Sequence, residues 1–157
     1  MKNVLIISTS LRGGSNSELL AKECAKGAEE AGNRVELLSL KDKKIQYCTG
    51  CLTCLKTGKC VQKDDAPEIM EKLRQADVLV FATPIYYYEM CGQMKTLLDR
   101  MNPLYESNYA FREVYMIATA ADGGDATFEK AYNGFAGLGG LLPQGQAVRT
   151  GSRWRNR

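Results

Sequence analysis

The sequence contains no histidine. Acid–base work therefore falls to Tyr, Asp, Lys or solvent, which suits electron or hydride transfer better than hydrolysis, and any bound metal must take other ligands. No apolar run approaches the ~20 residues of a membrane span. Met1-Lys2-Asn3 leads into a short apolar segment with no small-residue cleavage site behind it, so the chain reads as cytoplasmic, without a membrane partner. A basic stripe on the folded body is also missing. The net charge of +3 comes from Arg149, Arg153, Arg155 and Arg157, which have no acid among them, so nothing points to nucleic acid. Neither linker nor repeat interrupts the 157 residues, and 45% hydrophobic content supports one core, so residues 1–157 read as a single domain.

What is present is concentrated in one stretch. Cys48, Cys51, Cys54 and Cys60 follow the spacing C-x2-C-x2-C-x5-C, four of the chain's six cysteines. In a reducing compartment such a cluster points to metal or redox work rather than disulfides. The x2 spacings let the first three sulfurs converge, and the x5 arm with Gly58 gives the fourth the reach to close around them. Thiolates suit zinc or an iron-sulfur cluster. Structural zinc sites usually pair two C-x2-C knuckles across a longer connection, whereas three cysteines each three apart resemble ferredoxin ligation, so a [4Fe-4S] cluster is the sharper reading. Four unligated thiols on a surface loop are the plain alternative.

Around this insertion, residues 46–62, runs a βαβ rhythm. Val4-Leu5-Ile6-Ile7 reads as a strand buried on both faces. The turn Ser8 to Ser17 that follows has neither G-x-G-x-x-G nor P-loop spacing. It offers instead a helix N-terminus with Ser10, Ser15, Asn16 and Ser17 as neutral donors and Arg12 as a charged one, a candidate phosphate site. Leu19, Leu20, Cys24 and Ala28 form the expected apolar stripe of that helix. A second strand spans Arg34 to Leu40, a helix starts at Asp64-Asp65-Ala66-Pro67, and Asp77 to Ala82 is the next buried strand. Thr83-Pro84-Ile85-Tyr86-Tyr87-Tyr88 then reads as a rigid loop with exposed aromatics, suited to a flat ring. Val114 to Ala118 is a fourth strand, leading into the small-residue loop Thr119 to Gly124. Gly137, Gly139 and Gly140 are expected to break the last helix. Residues 144–157 show no clear strand except at Gln146 to Thr150, and a closing helix is expected to be missing.

Together, Ser10-x-Arg12-x-x-Ser15-Asn16-Ser17, the cysteine spacing, Asp64-Asp65, Thr83-Pro84-Ile85-Tyr86 and Gly92-Gln93-x-Lys95-x-x-x-Asp99-Arg100 resemble the iron-sulfur flavoproteins within the NADPH-dependent FMN reductase, flavodoxin-like superfamily. The match runs from about Val4 to Phe135. It implies an α/β fold, a flavodoxin-like three-layer αβα sandwich with a parallel five-stranded sheet in the order 2-1-3-4-5, its last strand and helix truncated or atypical. It implies FMN, its phosphate held by Ser10, Arg12, Ser15, Asn16 and Ser17, and its ring by Thr83, Pro84, Ile85, Tyr86, Tyr87, Thr119, Asp122 and Gly123. A [4Fe-4S] cluster on Cys48, Cys51, Cys54 and Cys60 would exchange electrons with the flavin, usually across a subunit interface, in a homodimer or homotetramer. NAD(P)H and small-molecule or protein electron carriers would be the partners. Two other readings stand beside this one: an NAD(P)H-dependent FMN or quinone-type oxidoreductase with idle thiols, and a zinc-stabilised binding module without enzymatic activity.

Overall fold

The aliphatic run near the start of the chain becomes β1 (Asn3–Ser8), buried from Val4 to Ser8, as a strand covered on both faces must be. In this computed structural model, residues 1–105, 107–122, 124–141 and 147–151 are described, with backbone alone for 139–141 and 147–151. β2 (Arg34–Ser39) pairs parallel with β1 from Asn3↔Arg34 to Ser8↔Ser39, and β3 (Val78–Tyr86) pairs parallel with its other side. The two-residue β4 (Glu89–Met90) folds back antiparallel on the end of β3, while β5 (Glu113–Thr119) and β6 (Ala147–Gly151) extend the parallel sheet. The sheet order is β2-β1-β3-β5-β6. Counting only the five parallel strands, this is the expected 2-1-3-4-5.

Strand alternation divides the apolar residues between two faces. Val4, Ile6, Val78, Val80 and Ala82 meet Ala21 of α1 (Asn16–Glu30) in a small core. Leu5, Ile7, Leu79 and Phe81 face the larger core, made with α3 (Ala66–Gln75), α4 (Gly92–Asp99) and α5 (Asp125–Leu141). The short α2 (Thr53–Thr57) lies in the cysteine insertion. Half-buried Tyr115 and Ile117 pack beside the small core, to which α1 alone contributes helix residues among those described. No helix among the described residues is long and apolar enough to cross a membrane.

Two expectations, on α5 and α1, are corrected, and the candidate strand near Gln146 to Thr150 is borne out. α5 runs through Gly134, Gly137, Gly139 and Gly140 to Leu141. Each glycine weakens a helix by about 1 kcal/mol relative to alanine, but Ala131 and Phe135 are fully buried and the Phe135 ring meets Phe81 edge-on at 5.6 Å. Ala147–Gly151 is a strand, paired with β5 from Glu113↔Ala147 to Ile117↔Gly151, so the fifth strand is present within the segment read as atypical. The remaining residues of that segment, 144–146 and 152–157, lie outside the described ones. On α1 the buried positions are Ser17 and Ala21, while Leu19 and Leu20 are exposed. The stripe follows the i, i+4 spacing of the small residues because α1 packs close to the sheet.

Candidate functional site

Parallel strands end together, and the turn after β1 lies beside the ends of β3 and β5 (Ser8↔Ala82, Thr83↔Ala118, Pro84↔Thr119). Thr9 fastens this edge, donating from its N–H (2.9 Å) and its Oγ1 (3.0 Å) to the Ala82 carbonyl. Ser10 Oγ, buried, accepts the Arg12 N–H at 3.3 Å, and Gly14 takes φ +68°, which favours glycine. Ser15 caps α1, its Oγ accepting the Glu18 N–H at 3.3 Å, and the Ser17 hydroxyl lies 3.3 Å from that oxygen. Glu18 Oε2 takes the Gly14 N–H at 2.7 Å, so a carboxylate already occupies the field of the helix N-terminus. Lys22 and that N–H hold the Glu18 carboxyl below its usual range. The five expected phosphate donors are thus brought to one helix start but divide into two sets. Ser10, Ser15 and Ser17 are buried and support the turn. Arg12 and Asn16 are exposed, with no side-chain hydrogen bond among the described residues.

The stretch expected as a loop, Thr83 to Tyr86, is a continuation of β3, because β5 on one side and β4 on the other supply ladder partners. Ile85 pairs with Met90 and Tyr86 with Glu89, leaving Tyr87-Tyr88 as a two-residue hairpin turn at φ +50° and +66°. Type I′ turns of this kind normally use Asn-Gly, and the left-handed region costs a residue with a side chain about 1–2 kcal/mol. Replacing Tyr87→Asn and Tyr88→Gly together should therefore stabilise the chain by about 1–2 kcal/mol, read as a higher urea midpoint. An unchanged or lower midpoint would show that the turn stores no strain. Tyr86, Tyr87 and Tyr88 are 57%, 100% and 51% exposed, and Lys130 Nζ sits 5.8 Å from the Tyr88 ring centre.

Beneath the hairpin, Thr9, Thr83 and Cys91 form a buried polar knot that the sequence did not reveal. Cys91 Sγ lies 3.2 Å from Thr9 Oγ1 and 3.4 Å from Thr83 Oγ1, which accepts the Cys91 N–H at 3.3 Å. Thr119 is buried at the end of β5, and Asp122 accepts from the Gly124 N–H (3.3 Å) and the Thr127 hydroxyl (3.1 Å), securing the entry to α5. Gly123 lies outside the described residues.

The cysteine insertion joins β2 to α3. Cys48 and Cys51 are exposed, Cys54 is buried and Cys60 is intermediate. Burial pushes the Cys54 thiol up, and Cys60, Cys51 and Cys48 add to the rise. The Thr53 N–H pulls the Cys51 thiol down. Yet among the described residues no three Cys, Asp or Glu side chains are grouped as ligands of one ion. The chain is irregular through Cys48 and Cys51 and helical from Thr53, so equal x2 spacings project the expected converging sulfurs differently.

Cys60 has an unexpected neighbour. The Arg100 side chain, 1% exposed, forks onto Asp64, 3% exposed, with Nη1–Oδ2 at 2.6 Å and Nη2–Oδ1 at 3.0 Å. Nη1 also donates to the Gln46 carbonyl (2.8 Å) and to Gln62 Oε1 (3.2 Å), and Nη2 to Cys60 Sγ (3.3 Å). Burial opposes the Asp64 charge, but Arg100 and the N–H groups of Gln46 and Ala66 hold its carboxyl below the usual range. Arg100 Nε is buried with no partner. A buried, orphaned donor on the guanidinium that also meets the Cys60 sulfur fits an anionic sulfur-rich group.

A doubly wound sheet with a donor-rich helix start and an aromatic hairpin at the β1/β3 switch point has the layout of a flavodoxin-like flavoprotein. The family model for NADPH-dependent FMN reductases matches residues 2–154, and the chain belongs to that family. It is 42% identical over 103 residues to an iron-sulfur flavoprotein of Archaeoglobus fulgidus, covering 66% of this chain and 46% of the relative. To an iron-sulfur flavoprotein of Methanosarcina thermophila it is 32% identical over 117 residues, 74% of this chain and 61% of the relative. The chain spans about half the length of several curated relatives it matches. Among solved structures, an NAD(P)H:quinone oxidoreductase from Methanothermobacter marburgensis superposes with a TM-score of 0.73 at 15% identity, over 95% of this chain and 85% of the other.

Proposed function

We propose that the chain is an FMN-dependent oxidoreductase of the cytoplasm, working as a homodimer or homotetramer, with NAD(P)H as electron donor and a [4Fe-4S] cluster on Cys48, Cys51, Cys54 and Cys60. The observation that carries the flavin assignment is the pair of exposed donors Arg12 and Asn16 at the start of α1, without a side-chain partner among the described residues, on the sheet edge that also presents the tyrosine hairpin. Arg12 and Asn16, with the free N–H groups of the first turn, would bind the phosphate; Ser10, Ser15 and Ser17 keep that turn in shape. Thr83, Pro84, Ile85, Tyr86, Tyr87, Thr119, Asp122 and Gly123 would border the ring, with the tyrosines excluding water from it. FMN, when bound, takes electrons in pairs from a nicotinamide and releases them singly or in pairs, and a cubane cluster exchanges them singly. The orphaned Nε of Arg100, on the guanidinium that donates to Cys60, and the spacing of the four cysteines support the cluster. Because the sulfurs do not converge, an FMN-dependent NAD(P)H or quinone-type oxidoreductase without a cluster is the second reading.

The test is flavin content and affinity. Purified protein should carry FMN that bleaches on anaerobic addition of NADPH or NADH. Arg12→Ala with Asn16→Ala should weaken FMN binding about 30-fold to 1,000-fold, the loss expected for one charge-assisted and one neutral hydrogen bond to phosphate. Unchanged affinity would remove the phosphate from this site.

A further inference from the structure

Arg100 does more than neutralise Asp64, because its contacts fall on both ends of the cysteine insertion. Entering the insertion, the Gln46 carbonyl accepts from Nη1; leaving it, Cys60 Sγ, Gln62 Oε1 and Asp64 accept from the same fork. The two ends are also tied to each other. Asp65 Oδ2 accepts the Lys44 N–H at 2.6 Å, Asp64 Oδ2 the Gln46 N–H at 2.8 Å, and Gln62 Nε2 donates to the Tyr47 carbonyl at 3.0 Å. These rungs make a closed neck, and Arg100, at the end of α4, is its only contributor from outside the stretch 44–65 in the contacts described above. A planar fork reaches a carboxylate, a carbonyl, an amide oxygen and a sulfur at once, which a lysine ammonium cannot do.

We propose that Arg100 is the positioning residue of the cysteine loop: it fastens both ends of the loop to α4 and holds the Cys60 sulfur in place before any metal binds. Closing the neck in advance lowers the chain-entropy cost of bringing Cys48, Cys51, Cys54 and Cys60 together on a metal. It also selects Cys60, the thiol on the longer x5 arm and therefore the one with most freedom to miss the site. The proposal rests on the metal-thiolate reading of the loop for the sulfur-orienting role alone; closure of the neck is independent of it.

The experiment compares the native chain with Arg100→Lys, which keeps the charge and loses the fork, and Gln62→Ala, which leaves the Arg100–Asp64 pair intact. In metal-free protein, amide hydrogen exchange of peptides covering residues 44–65 should quicken about tenfold in Arg100→Lys and about threefold in Gln62→Ala, while peptides from β1 and β3 exchange as in the native chain. Equal exchange of the neck in all three proteins would overturn the proposal. If Arg100→Lys loses its fold, Gln62→Ala is compared with Gln62→Glu, which keeps an acceptor for Arg100 and loses only the Nε2 bond to Tyr47; equal exchange of the neck in those two would overturn the proposal. The second arm uses Co²⁺, whose thiolate charge-transfer bands count sulfur ligands. Arg100→Lys should give the weaker band of a Cys60→Ser control, and a native-strength band would refute the orienting role. Absence of cobalt–thiolate bands in the native chain would count against the metal reading and against the orienting of Cys60, while the exchange data would still decide the neck.

Discussion

Asp64→Leu should lower the stability of the chain by about 3–5 kcal/mol, the cost of leaving a buried charge without its partner. Arg100 would keep its place in the core with a guanidinium 1% exposed, and the N–H groups of Gln46 and Ala66 would also lose their acceptor. The measurement is the urea midpoint at unchanged m-value. Asp64→Leu combined with Arg100→Leu should recover much of the loss, since removing both charges removes the desolvation cost as well. A single-variant loss below about 1 kcal/mol would place the pair with ordinary surface bridges. The pair also sets an acid limit. The Asp64 carboxyl is held below its usual range in the fold. Its contribution is therefore complete above the unfolded-state value of about 3.9, and it disappears as pH falls through the lower folded-state value. Native protein should lose stability over that acid interval, and Asp64→Leu should show a shallower loss there.

This pair also marks where the sequence stops being informative. Asp64 and Arg100 lie 36 residues apart, and charged residues at a helix start and a helix end read as surface until the fold packs them together. The central strands were legible because burial on both faces demands uninterrupted runs such as Val4 to Ile7. β6 was legible only as a short candidate, Gln146 to Thr150, for the opposite reason: a segment including Arg149 and Thr150 has no uninterrupted apolar run and takes its place in the sheet from the β5 ladder. Pro84 suggested a loop, yet it lies at the far end of β3, opposite Thr119, where the parallel ladder finishes. Nothing in Tyr87-Tyr88 announces a hairpin turn, since the residues that usually do so are Asn and Gly. The first loop was legible as a donor cluster, but composition could not say that Ser10, Ser15 and Ser17 are spent on the turn and that only Arg12 and Asn16 stay exposed. For the thiols, spacing along the chain identified a set without giving its geometry, because the backbone changes from irregular to helical between Cys51 and Cys54.

Cys54→Ser should abolish iron uptake while leaving flavin content intact. Cys54 is the informative choice because it is the one buried thiol of the four, so a cluster held by the loop would need its sulfur and solvent could not easily stand in for it. Anaerobic reconstitution of the native chain should give about four iron and four acid-labile sulfide per chain, with broad absorption near roughly 400 nm beneath the flavin bands. Cys24→Ser, on α1 and outside the insertion, should reconstitute as the native chain does. FMN should stay bound in both variants, because its proposed contacts lie on the α1 turn, the β3–β4 hairpin and the stretch from Thr119 to Gly123, all outside the insertion. Metal ligation and local folding are coupled, so reconstitution should also slow hydrogen exchange within residues 46–62 of the native chain and not of Cys54→Ser. Stoichiometric zinc without colour would assign the loop a structural ion. Equal iron in native and Cys54→Ser protein, or none in either, would eliminate the cluster and leave the flavin oxidoreductase with idle thiols as the function of this chain.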